Sequence, residues 1–443
     1  MAVARTEVAV LMSACLTLGL AVSPVVGQGP AEAPARQIVG RLLSMDEAVA
    51  IALETQPQIQ ARLYDYAAAR FRVDQAMSPL LPQLSSSVSA SRSKSSVLST
   101  AVGSTSVIVN RYFDETLVAQ VALSQLLFDF GKNLAATEAA KKLSAVALED
   151  VELQRQLIAL AVKEAFTNTL FAQRLIRVQQ QAVERAELNL KSARGFFDVG
   201  TRPRSDVARA EVDVANARVD LIRARNAERV ARVALNTAMG IEIDTPTQVQ
   251  DNLVYEPVSL DRGQIRAEAL RQRPEYRQVK LQVEAAEAIE RQAFRNFFPD
   301  VTGSGTYGGI REELTEVWSL TLALTWNMYD GGGRVARYRE ARANVDGARS
   351  RVRALELDLL REVEQSQITI EEAQERLQAA QTAVVSAQEN FRLAQGRFDA
   401  GVGTILELTD AQLALTQTQN VEAQALADYR IALYRLDRAR GRR

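Results

Sequence analysis

One segment in the second half of the chain alternates apolar and polar residues one by one. Between Val317 and Met328, large apolar residues occupy every second position, and mostly polar residues fill the positions between them. The apolar residues are Trp318, Leu320, Leu322, Leu324, Trp326 and Met328. A period of two predicts a β-strand with one apolar face. The pattern recurs more weakly in the first half, at Leu117, Val121, Leu123 and Leu127. We expect partner strands to begin near Leu84 and Val301.

Very long segments with helical spacing follow both predicted strand pairs. After Gly131 and after Gly333, neither half contains a proline for about 70 residues, and apolar residues recur at steps of three and four. A helix from Lys132 to Phe196 would be about 98 Å long. Shorter helices are predicted at 205–238 and 261–295, and together they match that length. No compact domain needs such helices, so we expect them to line a tall structure.

The two halves of the chain repeat one plan. Pro57 and Pro82 recur 217 residues later, at positions 274 and 299. The sequence from Phe197 to Gly200 recurs 201 residues later, at positions 398–401. Matches that keep a constant spacing over more than a hundred residues do not arise by chance. The chain therefore contains an internal duplication. Each half predicts a helix, two strands, a very long helix, a turn and another helix, which together make an α+β protein.

The duplication predicts the boundaries of the repeats. Gly240 recurs as Gly441, and we predict a first repeat over 41–240, a connector over 241–260 and a second repeat over 261–441. The first repeat opens with Ser44-Met45-Asp46-Glu47, a capping box that predicts a helix running to about Met77. The extra residues of the first repeat fall before its long helix, so a larger external loop is predicted at 91–110.

Composition and charge narrow the class of protein. The 443 residues are 47% hydrophobic and 24% charged with a net charge of −1, which gives no electrostatic reason to expect nucleic acid. The apolar run from Val8 to Gly27 predicts a secretory signal peptide over 1–27. Acylation of Cys15 is a minor alternative to simple cleavage. Without Cys15 the mature chain has no cysteine, and the whole chain has no histidine. We therefore expect no catalytic residues, no metal site and no cofactor, and an enzyme is disfavoured.

The apolar face of the predicted strand indicates that this part of the protein contacts membrane lipid. Trp318 and Trp326 are eight residues apart, about 26 Å along an untilted strand, which is close to the apolar band of a membrane β-barrel with its aromatic girdles. A half-buried strand in a soluble sheet is the alternative. Four strands cannot close a barrel, and open edges in hydrocarbon are costly. Three chains would give twelve strands and a lumen, so a trimer is favoured, although the sequence leaves other counts open.

The chain resembles the TolC family of outer-membrane efflux proteins over nearly all of its mature length. The most specific similarity lies in two turns, Phe197-Asp198-Val199-Gly200-Thr201-Arg202 and Phe398-Asp399-Ala400-Gly401. This resemblance implies a homotrimer with a twelve-stranded β-barrel in the outer membrane and a periplasmic α-barrel. It also implies a closed periplasmic tip that opens when an adaptor protein and an inner-membrane pump engage it. The family often has Tyr at Phe398 and Arg at Gly403, which help to latch the tip, so the latch here is uncertain and Arg202 or Arg204 could replace it.

The resemblance also implies a set of site residues. Glu407 and Asp410 correspond to carboxylates that ring the narrowest point of the periplasmic aperture, with Asp206 as a further candidate. Glu407 has an equally good local explanation, since Thr404 and Glu407 can form a capping box. The local explanation is favoured for Asp206, which we expect at the first helical position after Ser205 as the cap residue, where a negative charge stabilises the helix start. The residues expected to contact an adaptor are Gly200, Thr201, Arg202, Phe398, Gly401 and Val402. The residues expected to face lipid are Trp318, Leu320, Leu322, Leu324 and Trp326.

The sequence therefore favours an outer-membrane channel of a tripartite export or efflux system, with a large periplasmic part. A periplasmic or surface coiled-coil scaffold without a pore is the alternative, and the lipid-facing alternation argues against it. Within the channel class, type I protein secretion and small-molecule efflux both remain open.

Overall fold

The structure is a computed structural model that describes residues 41–100, 107–258, 261–310 and 315–442. The predicted signal peptide, with Cys15, lies outside the described residues. In the first half the elements are β1 (Leu42–Leu43), α1 (Met45–Thr55), α2 (Pro57–Met77), β2 (Gln83–Thr100), β3 (Val107–Phe128), α3 (Lys132–Asp198) and α4 (Arg204–Met239). In the second half they are β4 (Gln248–Val249), α5 (Arg262–Gln272), α6 (Pro274–Arg295), β5 (Asp300–Ile310), β6 (Thr315–Thr325), α7 (Gly333–Asp399) and α8 (Ile405–Ala439). The predicted α+β class is confirmed.

Two helices of 67 residues dominate the molecule, and each is accompanied by shorter helices. α3 packs against α2 and α4, and α7 packs against α6 and α8. α6 and α8 also contact α3, so they join the two halves. At 1.5 Å per residue a 67-residue helix is about 100 Å long. None of the described helices combines the length and the apolar composition that a membrane-spanning helix needs.

An aspartate side chain begins each long helix. Asp129 is buried, and its carboxylate accepts the backbone N–H of Gly131 at 2.8 Å and of Asn133 at 2.7 Å. Asp330 accepts the N–H of Arg334 at 2.9 Å. These bonds satisfy donors that the first helical turn leaves without intrahelical partners.

The predicted opening helices are each broken in two, which the sequence analysis did not anticipate. The break falls at Gln56 before Pro57 and at Arg273 before Pro274, and both preceding residues are extended, with ψ of 118° and 127°. The proline ring disfavours helical geometry in the residue before it, which explains the position of both breaks. The helix that begins at Ser44 still ends at Met77, and its predicted capping box is present.

Both breaks dock onto a glycine that ends a helix. Gly240 and Gly441 have positive φ, 72° and 84°. A Cβ at Gly240 would lie 2.9 Å from Gln56 Cα, and a Cβ at Gly441 would lie 2.9 Å from the carbonyl carbon of Gln272. Only glycine allows this approach together with this backbone conformation, which explains why the glycine recurs in both halves.

The four long strands form one antiparallel sheet in the order β2-β3-β5-β6. The pairings Leu84–Leu123 and Tyr307–Trp318 place most of the large apolar residues of the four strands on one face. A bulge between Leu126 and Phe128 interrupts the β3–β5 register. The predicted partner strands are confirmed, since β2 begins at Gln83 and β5 at Asp300.

Two strand boundaries differ from the prediction. β6 ends at Thr325, so Trp326 and Met328 lie outside the strand. Thr325 pairs with Asp300, and the residue before Asp300 is a proline, which has no N–H with which to continue the ladder. The external loop predicted at 91–110 is mostly strand, because β2 continues to residue 100 and β3 begins at residue 107.

Candidate functional site

The two glycine-containing turns that recur 201 residues apart in the sequence become two tight helix-ending turns. α3 is followed by Gly200 and α7 by Gly401, and both glycines have φ of 77°. The N–H of Thr201 donates to the carbonyl of Phe196 at 3.0 Å, and the N–H of Val402 donates in the same way to Arg397 at 3.0 Å. A left-handed glycine with these bonds closes a helix and lets the chain reverse direction.

Arg202 connects the first turn to the second. Its guanidinium donates a hydrogen bond to the backbone carbonyl of Gly403, and it lies 4.8 Å from the ring centroid of Phe398. The same guanidinium approaches the Asp206 carboxylate at 3.8 Å, and only 14% of the Arg202 side chain is exposed. Phe398 is fully buried. One arginine thus makes a hydrogen bond, a cation–π contact and an ion pair at the tip.

The backbone at Gly403 explains why an arginine is absent there. A Cβ at this position would lie 2.9 Å from Arg397 Cβ and 2.9 Å from the backbone nitrogen of Phe398. A larger residue would require the turn to shift. Arg204, the other candidate substitute, is exposed and forms no ion pair with any described residue.

The three candidate aperture carboxylates occupy different environments. Asp206 is mostly buried beside Arg202. Helix α4 begins at Arg204 with Pro203 before it, so Ser205 does not cap the helix as predicted, and Asp206 lies in the first turn. Pro203, at the cap position, has no side-chain acceptor for the first N–H groups of the helix. The Asp206 carboxylate has the neighbouring Arg202 as its partner.

Glu407 and Asp410 differ in the contacts that their side chains make. Thr404 caps α8 by accepting the N–H of Glu407 at 3.2 Å, while the Glu407 carboxylate lies 3.6 Å from Arg397 Nε on α7. Asp410 is exposed and forms no ion pair with any described residue. It shares with Leu406 and Leu413 the exposed face of α8, away from its neighbouring helices. Asp410 is therefore the carboxylate of the three that is exposed and has no ion-pair partner among the described residues.

The apolar face of the sheet is the second candidate surface. In the protomer, Trp318 is 70% exposed and Leu320 is 83% exposed. Leu322, Leu324 and Trp326 are also exposed. The indole N–H of Trp326 donates to the carbonyl of Phe297 at 3.1 Å. An exposed apolar surface of this extent marks contact with lipid or with another protein.

An aromatic cluster below this face was missed by the sequence analysis. Phe130 stacks on Phe298 with ring centroids 5.1 Å apart, and Phe128 packs edge-on to Phe130 at 4.7 Å. All three rings are at least 40% exposed. Phe130 has a positive φ of 53°, which is uncommon outside glycine. The proximity of Phe130 and Phe298, far apart in sequence, depends on the pairing of β3 with β5.

The fold and these surfaces define a class of protein: a long α-helical hairpin assembly joined to an exposed, one-sided apolar β-sheet. The outer membrane efflux protein family model matches residues 48–241 and 265–442. The chain belongs to the outer membrane efflux protein family. This membership places it in the outer membrane, with its long helices forming a large periplasmic part.

Individual relatives are more distant. The chain is 24% identical to nodulation protein T of Rhizobium leguminosarum bv. trifolii over 72% of this chain and 70% of that protein. It is 25% identical to alkaline protease secretion protein AprF of Pseudomonas aeruginosa over 87% and 82%. It is 25% identical to outer membrane protein TolC of Escherichia coli over 85% and 78%.

Solved structures share the fold. The outer-membrane channel OprN matches with a TM-score of 0.77 at 22% identity, over 90% of this chain and 89% of that chain. CusC matches with a TM-score of 0.78 at 16% identity, over 93% and 95%. At these identities the similarity establishes the architecture of helices and strands.

Proposed function

We propose that three copies of this chain form an outer-membrane channel that exports cargo from the periplasm to the cell exterior. The observation that carries the proposal is the open sheet. Among the described strands, β2 and β6 each pair on one side only, and one sheet face is apolar and exposed. Unpaired backbone groups in hydrocarbon cost several kcal/mol each. Pairing the β6 edge with the β2 edge of the next chain removes both edges, and three chains give a twelve-stranded barrel with a lumen.

In this assembly the apolar face contacts lipid through Trp318, Leu320, Leu322, Leu324 and Trp326. The helices continue the passage into the periplasm as an α-barrel. The turns at Gly200 and Gly401 form its far tip and offer Thr201 and Val402 to a periplasmic adaptor that serves an inner-membrane pump. Phe398, expected to contact the adaptor, is fully buried and instead supports the tip from inside, together with Arg202. The name of AprF refers to protein secretion, and the name of the matching family refers to efflux. We therefore propose export as the function and assign no particular cargo.

A coiled-coil scaffold without a pore is the alternative from another class. It would need no lipid-facing sheet, and the exposure of Trp318 and Leu320 therefore favours the channel. The channel and the scaffold differ in whether detergent is needed to extract the protein from the membrane. A channel leaves the membrane only with detergent and has the mass of three chains in detergent micelles, whereas a monodisperse monomer in detergent-free buffer would contradict the channel.

Asp410 is proposed as the aperture residue that sets ion preference. Three copies around a narrow passage attract cations and repel anions, and more strongly at low salt. Glu407 contributes less, because Arg397 lies beside it. Asp206 and Arg202 instead hold the two turns of one protomer together, so we propose that they keep the tip closed.

Planar-bilayer recordings test this division of roles. Asp410→Ala is expected to weaken cation preference, most clearly at low salt, with trimer stability nearly unchanged. Asp206→Asn is the matched control, since it removes a carboxylate that already faces Arg202. It is expected to change the frequency of opening more than selectivity. If Asp410→Ala matches wild type in both conductance and selectivity, Asp410 is a solvated helix residue and this assignment is wrong.

A further inference from the structure

The face of the sheet opposite the apolar one carries mainly hydroxyl groups. On β2, five serines occupy alternate positions: Ser85, Ser87, Ser89, Ser91 and Ser93. The pairings in the register extend this face across β3, β5 and β6. It includes Gln120, Ser124, Thr302, Ser304, Thr306, Ser319 and Thr321. Small residues such as Ala122, Gly308 and Ala323 fill some of the remaining described positions, and Val118, Leu126, Ile310 and Val317 add larger apolar side chains near the ends of the strands.

Two acidic residues lie at the ends of this face, because the register pairs Asp300 with Thr325 and Asp114 with Ser93. Asp300 forms an ion pair with Lys132 at 2.5 Å.

The charged residues beside the middle of the sheet lie on the other face. Arg92 belongs to the face of Leu84 and Val88, and Glu316 to that of Trp318, because each is an even number of residues away on the same strand. Both lie at the end of the apolar segment that is remote from the helices. Over residues 83–93, 116–126, 301–310 and 316–325, the described positions on the hydroxyl face carry no ionisable side chain.

Hydroxyl groups both donate and accept hydrogen bonds. Thr306 and Ser319 already exchange one across β5 and β6 at 2.7 Å. A wall of such groups can replace part of the hydration shell of a cation, an anion or an uncharged polar molecule. It does so without the potential of several kT that a surface of one charge sign creates.

We propose that the middle of the β-barrel wall, between the levels of Asp300 and Asp114, is indifferent to the charge sign of its cargo, so that it accepts cationic, anionic and zwitterionic polar molecules alike. The inference rests on the proposed trimeric channel, in which the hydroxyl face lines the lumen. In the middle of the barrel the wall then adds no charge selection to that of Asp410 at the periplasmic tip.

A cysteine placed on this wall reports the local potential directly. The chain's one cysteine, Cys15, lies in the predicted signal peptide, so the mature chain is the cysteine-free background. Ser304→Cys places a thiol on the hydroxyl face of β5, and Ser86→Cys is the matched control on the apolar face of β2. The purified trimer in detergent is treated at low salt with a cationic and an anionic methanethiosulfonate reagent. The ratio of the two rates is divided by the ratio for a small free thiol.

The expected normalised ratio at Ser304→Cys is within about twofold of one, because one kT of potential would change it by about sevenfold. Adding Thr321→Asp, directly opposite Ser304 in the register, should shift the ratio at least several-fold toward the cationic reagent. This shift shows that the measurement responds to a wall charge. Ser86→Cys should react with neither reagent.

Other outcomes separate the two proposals. A ratio at Ser304→Cys that favours either reagent tenfold overturns the charge-indifferent wall while leaving the channel intact. Labelling of Ser86→Cys but not Ser304→Cys reverses the two faces and contradicts the proposed barrel itself. A trimer that labels at neither position has no water-filled lumen at this level, which also contradicts the channel.

Discussion

The two helices that flank α8 hold it by different chemistry. Against α7 the contact is built on apolar clusters, one around Phe398 and Leu408 at the tip and one around Ile370 and Tyr429. Ion pairs between the two helices, such as Arg376–Asp428 at 2.8 Å, flank these clusters. Against α3 the apolar contact lies in the middle of the molecule, where Phe166 belongs to the same core as Leu426, and again at the tip, where Phe196 packs against the tip cluster. Between these two regions, the α3–α8 contact is largely polar.

The polar part of this contact is a ladder of side-chain hydrogen bonds. Gln179 donates to Asn420 at 3.4 Å, and Asn189 donates to Gln412 at 2.6 Å. Arg185 lies between them and donates to Thr416 and Gln419. Exposing a buried apolar surface to water costs free energy, whereas water molecules can replace each of these hydrogen bonds when the contact opens. The difference suggests that α7 and α8 move as one rigid hairpin, while the seam between α3 and α8 can separate near the tip.

Truncation inside the α7–α8 hairpin should have the largest effect. Leu408 is 1% exposed and packs in the tip cluster, and Leu408→Ala is expected to lower the free energy of unfolding by about 2–5 kcal/mol. Denaturant unfolding followed by circular dichroism measures it. Leu413→Ala on the exposed face of the same helix is the control. Equal losses for both would show that the hairpin is not held by its apolar contact.

The end of the hairpin far from the tip adds an ion cluster that should depend on pH. Arg273 is 2% exposed and pairs with Glu275 at 2.7 Å and Glu362 at 2.5 Å, and Arg438 of α8 bonds to both carboxylates. Burial raises the pKa of Glu275, but the hydrogen bond and charge of Arg273 outweigh burial and leave that pKa below its usual value.

A carboxylate with a lowered pKa stabilises the folded protein above its unfolded-state pKa, and this contribution is lost as the pH falls through the folded-state pKa. Glu275→Gln is therefore expected to cost about 1.5–3 kcal/mol at pH 7. The difference from wild type should shrink below the usual glutamate range. Unfolding midpoints measured from pH 7 down to pH 3 check it. A difference that stays constant with pH would exclude the ionised Glu275 as the cause.

Substitutions in the polar seam should have the smallest effect on stability. Asn189→Ala leaves Gln412 without its donor and is expected to cost about 1 kcal/mol. Replacing both Asn189 and Gln412 with Leu should be close to neutral in unfolding, because neither polar group is then left unpaired. The paired replacement should nevertheless reduce channel opening in bilayers, since an apolar seam separates less readily in water. If the opening frequency of this double variant equals that of wild type, the α3–α8 contact does not separate when the channel opens.

Much of this organisation could be predicted from local patterns. The alternation ending near Trp326, the capping box at Ser44 and the long helix from Lys132 all correspond to observed elements. Each depends on residues close together in the chain, where periodicity and helix signals act. The helix breaks at Gln56 and Arg273 were missed, although each precedes a proline, because the apolar periodicity continues across them.

The sequence by itself determined the duplicated plan, the apolar strand face and the two glycine turns. These features follow from residue spacing and from backbone freedom at single positions. Only the tertiary structure decided which partners the site residues have. It brought Arg202 to Phe398 and Gly403, and it left Asp410 without an ion pair among the described residues. Contacts between residues about 200 positions apart depend on the packing of long helices, and spacing within either segment carries no information about them.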